Sequence, residues 1–219
     1  MNLILFDNEI RNRFLPLVYN KPVSELRLGI LKITEKWEKW LNAEASFITQ
    51  DYLTEKYPLI LRTDNYLVNG TVLPNARLVK LIEQMDINQA FLSQDGELIA
   101  ARLDNVEFDN LLNDRELEEL EGIDLMNTPY SKINNVWDIF KLNGEALQAD
   151  FELITKGRKS QPISETNRIA GEDQIFVEEG ASIEFSILNA TTGPIYIGKN
   201  AKILDGLSLI HISEPTRPY

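Results

Sequence analysis

Groups able to hold a phosphate gather early in this chain. Arg11, Arg13, Lys21 and Arg27 surround a loop that contains Pro16 and Pro22 and directly follows the apolar run NLILF (2–6). Fork-shaped arginines and point-charge lysines after a first strand suit a phosphate; the same residues also read as ordinary surface charges. Residues 9–39 hold seven basic and four acidic residues, a local +3 in a chain of net charge −12. Lys32, Lys36 and Lys39 fit another role, the solvated face of a helix paired with nearby glutamates. Nine acidic residues between 104 and 124 face a single Arg115. Such a cluster can bind a divalent metal, but EF-hand spacing is absent. Leu111, Leu112, Leu117 and Leu120 fit a helix whose acidic outer face is simply hydrated. His211 is the only histidine, so any Ser-His-Asp triad must use it and a His-rich metal site is excluded.

The composition narrows the classes further. The 219 residues, 43% of them hydrophobic, suffice for one domain with a core or for one domain and part of another. The acidic excess argues against a nucleic-acid surface and against an anionic membrane, and is compatible with a soluble cytoplasmic protein. No cysteine is present, which excludes disulfides and thiolate zinc sites. MNLILF meets Asp7 and Asn8 at once, so no signal peptide is expected, and no apolar stretch is long enough to span a bilayer.

These groups need a scaffold, and the first half of the chain supplies one. NLILF predicts a strand stopped by Asp-Asn. LGILKITEKWEKWLN, with Leu26, Ile30, Ile33, Trp37 and Trp40 at helical spacing, predicts an amphipathic helix packed on a sheet. Strands are predicted at 44–50 and 63–70, the second ended by Asn69-Gly70. A helix is predicted at 73–85 with Pro74 in its first turn. QAFLSQDGELIAARL reads as strand, Asp-Gly turn, strand. The alternation predicts an α/β fold with a mainly parallel sheet. Ligands of such sheets sit at the carboxyl ends of strands, here the loops 7–24 and 69–74.

The second half changes texture. NNVWDIFKLNGEALQADFELIT (134–155) predicts a long helix with Val136, Ile139, Phe140, Leu147, Phe151 and Ile154 in an apolar stripe; Trp137 is expected to pack in the core. KGRKSQPISETNR predicts a linker near 156–170. VEEGASI (177–183) and IGKNAKI (197–203) then share one pattern, an aliphatic residue followed six positions later by another, with Gly, Asn and Ala between. That is the hexapeptide pattern of a left-handed parallel β-helix, with GPIYIG as a connection.

MNLILFDNEIRNRFLPLVYNKPVSELRLGILKITEKWEKWL resembles the start of divergent bifunctional sugar nucleotidyltransferase/acetyltransferase proteins related to N-acetylglucosamine-1-phosphate uridylyltransferase. NYLVNGTVLP, LSQDGELIAARL, VWDIFKLNGEALQADFELI and GPIYIGKNAKILDG are similar to further stretches of that family, and the likeness spans residues 1–206. It implies an α/β, Rossmann-like nucleotidyltransferase domain (1–155), a linker (156–170) and the first coils of a left-handed parallel β-helix (171–206). The implied reaction joins an NTP, UTP in the nearest scheme, to a sugar 1-phosphate, giving a nucleotide-sugar such as UDP-N-acetylglucosamine and pyrophosphate with Mg²⁺. Arg11 or Arg13 stands for the arginine of the family's Gly-rich loop, which lacks glycine here, and Lys21-Pro22 matches its Lys-Pro pair. These three are the implied catalytic residues. Arg27, Asn69 and Gly70 are the implied nucleotide- and sugar-phosphate-binding residues. Asn69 takes the place of the metal-binding aspartate, and an amide is a weaker Mg²⁺ ligand than a carboxylate. That departure keeps open a domain that binds nucleotide or sugar phosphate without catalysis. The β-helix half implies acetyl-CoA, acyl transfer and a homotrimer for the intact protein.

LSLIHISEPTR (207–217) resembles the in-frame translation of a transposase adapter used in sequencing libraries, and Pro215 and Pro218 break the hexapeptide pattern. Residues 207–219 are therefore expected to be non-native, the β-helix to be truncated, and His211 to have no role.

Overall fold

The computed structural model describes residues 1–112, 121–125 and 128–210. The chain divides into two compact units, residues 1–27 with 31–139, and residues 28–30 with 140–219. The division falls inside the last helix of the expected 1–155 domain.

The first unit is built on one mixed sheet. Its strands are β1 (Asn2–Phe6), β2 (Ala45–Ile48), β3 (Asp64–Asn69), β5 (Gln89–Leu92), β6 (Leu98–Asp104) and β7 (Glu121–Asp124), in the order β2-β1-β3-β6-β5-β7. A short antiparallel pair joins β4 (Val72–Leu73) to β8 (Ser131–Lys132). Three of the five pairings in the main sheet are parallel: β1 with β2, β1 with β3, and β5 with β7. The mostly parallel α/β sheet expected from the alternation of patterns is present. β5 and β6 form the antiparallel hairpin that the Asp-Gly turn predicts. The directions put the carboxyl ends of β1, β3 and β5 and the start of β6 on one edge.

Leu3, Ile4 and Leu5 of β1 are all buried, as expected where both faces of a parallel strand are covered. Ile4, Leu67, Ala90, Ala101 and Leu103 form one core cluster with Phe108 of helix α3 (Asn105–Leu112). Helix α1 (Ile33–Leu41) buries Trp37, whose indole N–H donates to the Val72 carbonyl at 2.9 Å. Helix α2 (Ala76–Glu83) buries Leu78, Val79 and Ile82.

Several local expectations shift. The first helix starts seven residues later than Leu26, because Gly29 (φ +79°) turns the chain and Lys32 N–H caps onto Glu35 at 2.7 Å. Lys36 is buried, 4% exposed, rather than part of a solvated face. Pro74 precedes α2 instead of entering it; Asn75 is the cap, accepting from the N–H groups of Arg77 and Leu78 at 3.0 and 2.9 Å. Of the acidic-faced helix, Leu111 and Leu112 lie in α3 and Leu117 and Leu120 lie outside the described residues, while residues 121–124 form β7. Trp137 is 58% exposed, not a core residue.

Helix α4 (Asp138–Thr155) runs into the second unit, where Ala146, Leu147, Phe151 and Ile154 are buried. There follow β9 (Arg168–Ala170), β10 (Ile175–Val177), β11 (Ser182–Ile183), β12 (Ile187–Asn189), β13 (Ile195–Ile197), β14 (Lys202–Ile203) and β15 (Ser208–Ile210). All pair in parallel, each with the strand about twenty residues on: β10 with β13, β11 with β14, and β9 with β12 and β12 with β15. Val177 stacks on Ile197 and Ile183 on Ile203, so the two hexapeptide matches lie one above the other. GPIYIG supplies β13 rather than a connection. The stretch expected as a linker also carries this spacing. Gln161 Nε2 donates to Ala181 O at 2.9 Å, and the Ser164 hydroxyl to Glu184 Oε2 at 2.7 Å. His211 lies outside the described residues.

Gly29 ties residues 28–30 to α4. Its N–H donates to Asn143 Oδ1 at 2.8 Å, and a Cβ there would lie 2.7–2.8 Å from Asp150 Oδ2 and the backbone of Ala146 and Leu147. Gly29→Ala should therefore lower unfolding stability by about 2 kcal/mol or more, read by urea denaturation followed by circular dichroism.

Candidate active site at the strand ends

The loop after β1 is organised by charge. Asp7 accepts from Val23 N–H at 2.9 Å through Oδ1 and from the Thr49 hydroxyl at 2.6 Å through Oδ2. Arg11 Nε lies 3.3 Å from Asp7 Oδ2, an ion-pair contact without hydrogen-bond alignment. Arg11 Nη2 donates to the Val18 carbonyl and, at 3.0 Å, to the Tyr52 hydroxyl. Burial pushes the Asp7 carboxyl above its usual range, opposed by the bonds from Thr49 and Val23 and by the Arg11 charge. Asn8 Oδ1 accepts from Ile10 N–H at 3.1 Å and caps the short turn Glu9–Phe14.

The end of β3 meets this loop. In register, Phe6 pairs with Asn69, and Gly70 N–H donates to Phe6 O at 2.9 Å. A Cβ on Gly70 would sit 3.2 Å from Phe6 O and 3.3 Å from Ser24 Cβ, so the strand end and the loop approach closely enough to favour glycine. Asn69 is fully buried. Its Oδ1 accepts from Thr71 N–H at 3.0 Å and from the Thr71 hydroxyl at 2.7 Å. Its Nδ2 donates to Glu97 Oε1 at 3.1 Å and to Leu98 O at 3.2 Å.

Glu97 is the centre of the edge. It follows the hairpin turn, whose shape is set by Glu97 N–H to Ser93 Oγ at 3.0 Å and Gly96 N–H to Ser93 O at 2.9 Å. Its Oε1 also accepts from Asn8 Nδ2 at 2.8 Å, and its Oε2 is paired with Lys132 Nζ of β8. Nearby Tyr130 has its phenol pushed above the usual value, first by burial and then by the charges of Glu97, Asp95 and Asp124.

The predicted residues thus separate. Asn69 and Gly70 stand at the strand end together with the base of the first loop. Arg11 is 4% exposed and its guanidinium is used inside that loop. Arg13 is exposed and Lys21 half-buried on the same loop, and neither has an ion-pair partner among the described residues. Arg27 is exposed, and its backbone bridges to Lys32. Asn8, Glu97 and Lys132 were not anticipated. The Asp-Gly turn marked the hairpin, but only the strand order brings that turn to the ends of β1 and β3.

Residues 3–159 match the family model described as sugar nucleotidyl transferase. The chain belongs to this family. No curated protein matches the sequence. The span shared with the sugar nucleotidyl transferases includes the first loop, the end of β3, the hairpin and Lys132. Asn69 does not fit the role of a Mg²⁺ ligand, because both lone pairs of its only oxygen receive donors from Thr71. No cluster of three or more His, Asp or Glu side chains suited to a metal occurs among the described residues.

Arg11→Met should behave as a folding lesion. It leaves the buried Asp7 carboxylate without its cation and should cost about 3–5 kcal/mol near neutral pH. Arg11 holds the pKa of Asp7 down, so the variant raises it further. The loss then shrinks as the pH falls and Asp7 is protonated in folded and unfolded chains alike. Denaturation midpoints at several pH values check both the size and the sign.

Proposed function

We propose that the first unit transfers a nucleotidyl group from an NTP, UTP in the first instance, to a sugar 1-phosphate at the carboxyl edge of β1 and β3. An oxygen of the sugar phosphate attacks the α-phosphorus. The bond from that phosphorus to the bridging oxygen breaks, its electron pair leaves with pyrophosphate, and a nucleotide-sugar such as UDP-N-acetylglucosamine is formed. The observation that carries this reading is the sugar nucleotidyl transferase match over residues 3–159, which spans the basic loop and the cluster behind it.

The difficulty of this reaction is to bring two anions together, and fixed cations lower that cost. Arg13 and Lys21 are the cations assigned to the phosphates, being on the first loop and unpaired among the described residues. Arg27 extends the same basic surface. Arg11 serves by holding the loop in shape. The parallel ladders of the second unit support its reading as the opening coils of a β-helix. As a β-helix, that unit would bring acyl transfer from acetyl-CoA and trimerisation.

The spent oxygen of Asn69 favours a second reading, a domain that binds nucleotide without turning it over. Pyrophosphate release, measured with each common NTP against a panel of sugar 1-phosphates, separates the two. Turnover is expected with at least one pair. Lys21→Ala should lower kcat/KM about 10²–10³-fold with an unchanged melting temperature. NTP binding by calorimetry without turnover for any pair would decide for the second reading.

A further inference from the structure

Three donors from three separate segments converge on one carboxylate at the edge where the sheet should receive its ligand. They are Asn8 Nδ2 at 2.8 Å, Asn69 Nδ2 at 3.1 Å and Lys132 Nζ, and the carboxylate is that of Glu97. We propose that Asn8, Asn69 and Lys132 form a cradle for a phosphate group of the substrate, and that Glu97 fills it in the free protein as an internal placeholder. The proposal rests on the nucleotidyl transfer reading for the identity of the anion.

The donor set suits an anion of this kind. Two neutral amides fix the direction of the oxygens, and one ammonium supplies the charge. Carboxylate and phosphate present similar paired oxygens to such donors, which is why the same side chains recognise both. Asn69 cannot turn its oxygen outward, because Thr71 holds it from the backbone and from the hydroxyl. Its N–H₂ therefore faces the anion in every state that keeps the Thr71 turn. Lys132 is held on β8 by the pairing with β4, directly after β3.

Glu97 is placed to leave. Its side chain is 22% exposed, and it borders the exposed turn residues Gln94, Asp95 and Gly96. A rotation about its side-chain bonds carries the carboxylate into water and needs no strand to break. While it stays, Lys132 is neutralised and the amides are satisfied, so the empty site carries no buried unpaired charge. The placeholder reduces apparent phosphate affinity by the fraction of time the cradle is filled.

Calorimetric titration of inorganic pyrophosphate into the full chain, in EDTA without divalent cations, tests this. Glu97→Ala should bind pyrophosphate about tenfold tighter than the unmodified chain, as expected if the cradle is open about a tenth of the time. Adding Lys132→Met should abolish the gain. Asp95→Asn removes an equal charge from the same turn and should change the affinity no more than about twofold, since exposed charges are screened. Equal gains from Glu97→Ala and Asp95→Asn, or a gain that survives Lys132→Met, would overturn the proposal. Should Glu97→Ala fail to fold, Glu97→Gln carries the same test through loss of the Lys132 pair, and no gain with it counts against the cradle. Pyrophosphate binding requires no turnover, so failure here leaves the transfer assay unaffected, and failure there leaves the cradle to be judged on binding.

Discussion

A carboxylate and a guanidinium buried together hold the edge of the sheet in shape. Asp7 receives Val23 N–H, the Thr49 hydroxyl and the charge of Arg11, which ties the end of β1 to the far side of its loop and to the residue after β2. Burying either ion alone would cost several kcal/mol, so the loop closes around the pair as a unit. Loops that bind phosphate through backbone N–H groups depend on glycine to expose them. This loop has none between Phe6 and Lys21. Its conformation is fixed by side chains, and the arginine that does the fixing is withdrawn from the ligand. Under the proposed transfer reaction, the cations left for a substrate are Arg13 and Lys21 on the outer part of the loop, and Lys132.

The same edge explains why an amide suits position 69. A carboxylate there could accept from Thr71, but it could not donate to Glu97 and would lie beside it as a like charge. Asparagine does both tasks at once, accepting on one side and donating on the other. Residues 69 and 97 are therefore a linked choice. The negative charge of this strand end sits on the hairpin instead of on β3, and Lys132 balances it. A cation binding at Glu97 would have to displace an ammonium and two amides.

What the sequence disclosed about this molecule depended on the range of the interactions involved. β1, β3 and the β5–β6 hairpin were legible because their apolar runs and the Asp-Gly turn are local signals. The start of α1 was misplaced because Leu26 and Ile30 keep helical spacing across Gly29, whose positive φ ends any helix and whose contact with α4 is remote in sequence. Lys36 and Trp137 reversed their expected exposures, since periodicity assigns a face to a residue but not what lies against that face. At the candidate site, Asn69-Gly70 is legible as the turn that ends β3, a local signal. Glu97 and Lys132 lack such a signal, because Asn8 and Glu97 stand 89 residues apart in the chain and Glu97 and Lys132 stand 35 apart, and their meeting follows only from the sheet order.

In the second unit the side-chain code and the backbone code part company. Val177 on Ile197 and Ile183 on Ile203 show aliphatic residues repeating in register from strand to strand. The stretch 160–170 lacks that pattern, yet it lies along the following strands through the β9–β12 pairing and through side chains of Gln161, Ser164 and Asn167, which bond to residues 19 or 20 positions on. At the other end, Ser208–Ile210 pairs with β12, although it belongs to the stretch whose sequence resembles an adapter. An open parallel ladder offers main-chain donors and acceptors to any extended segment that reaches it. Pairing alone is thus weak evidence that a segment was selected for the coil, whereas repeated aliphatic registry, as at 177–183 and 197–203, is strong evidence. By that standard the parallel pairing is specified from Ile175 to Ile203, and the segments on either side are held by the strand edges it leaves exposed.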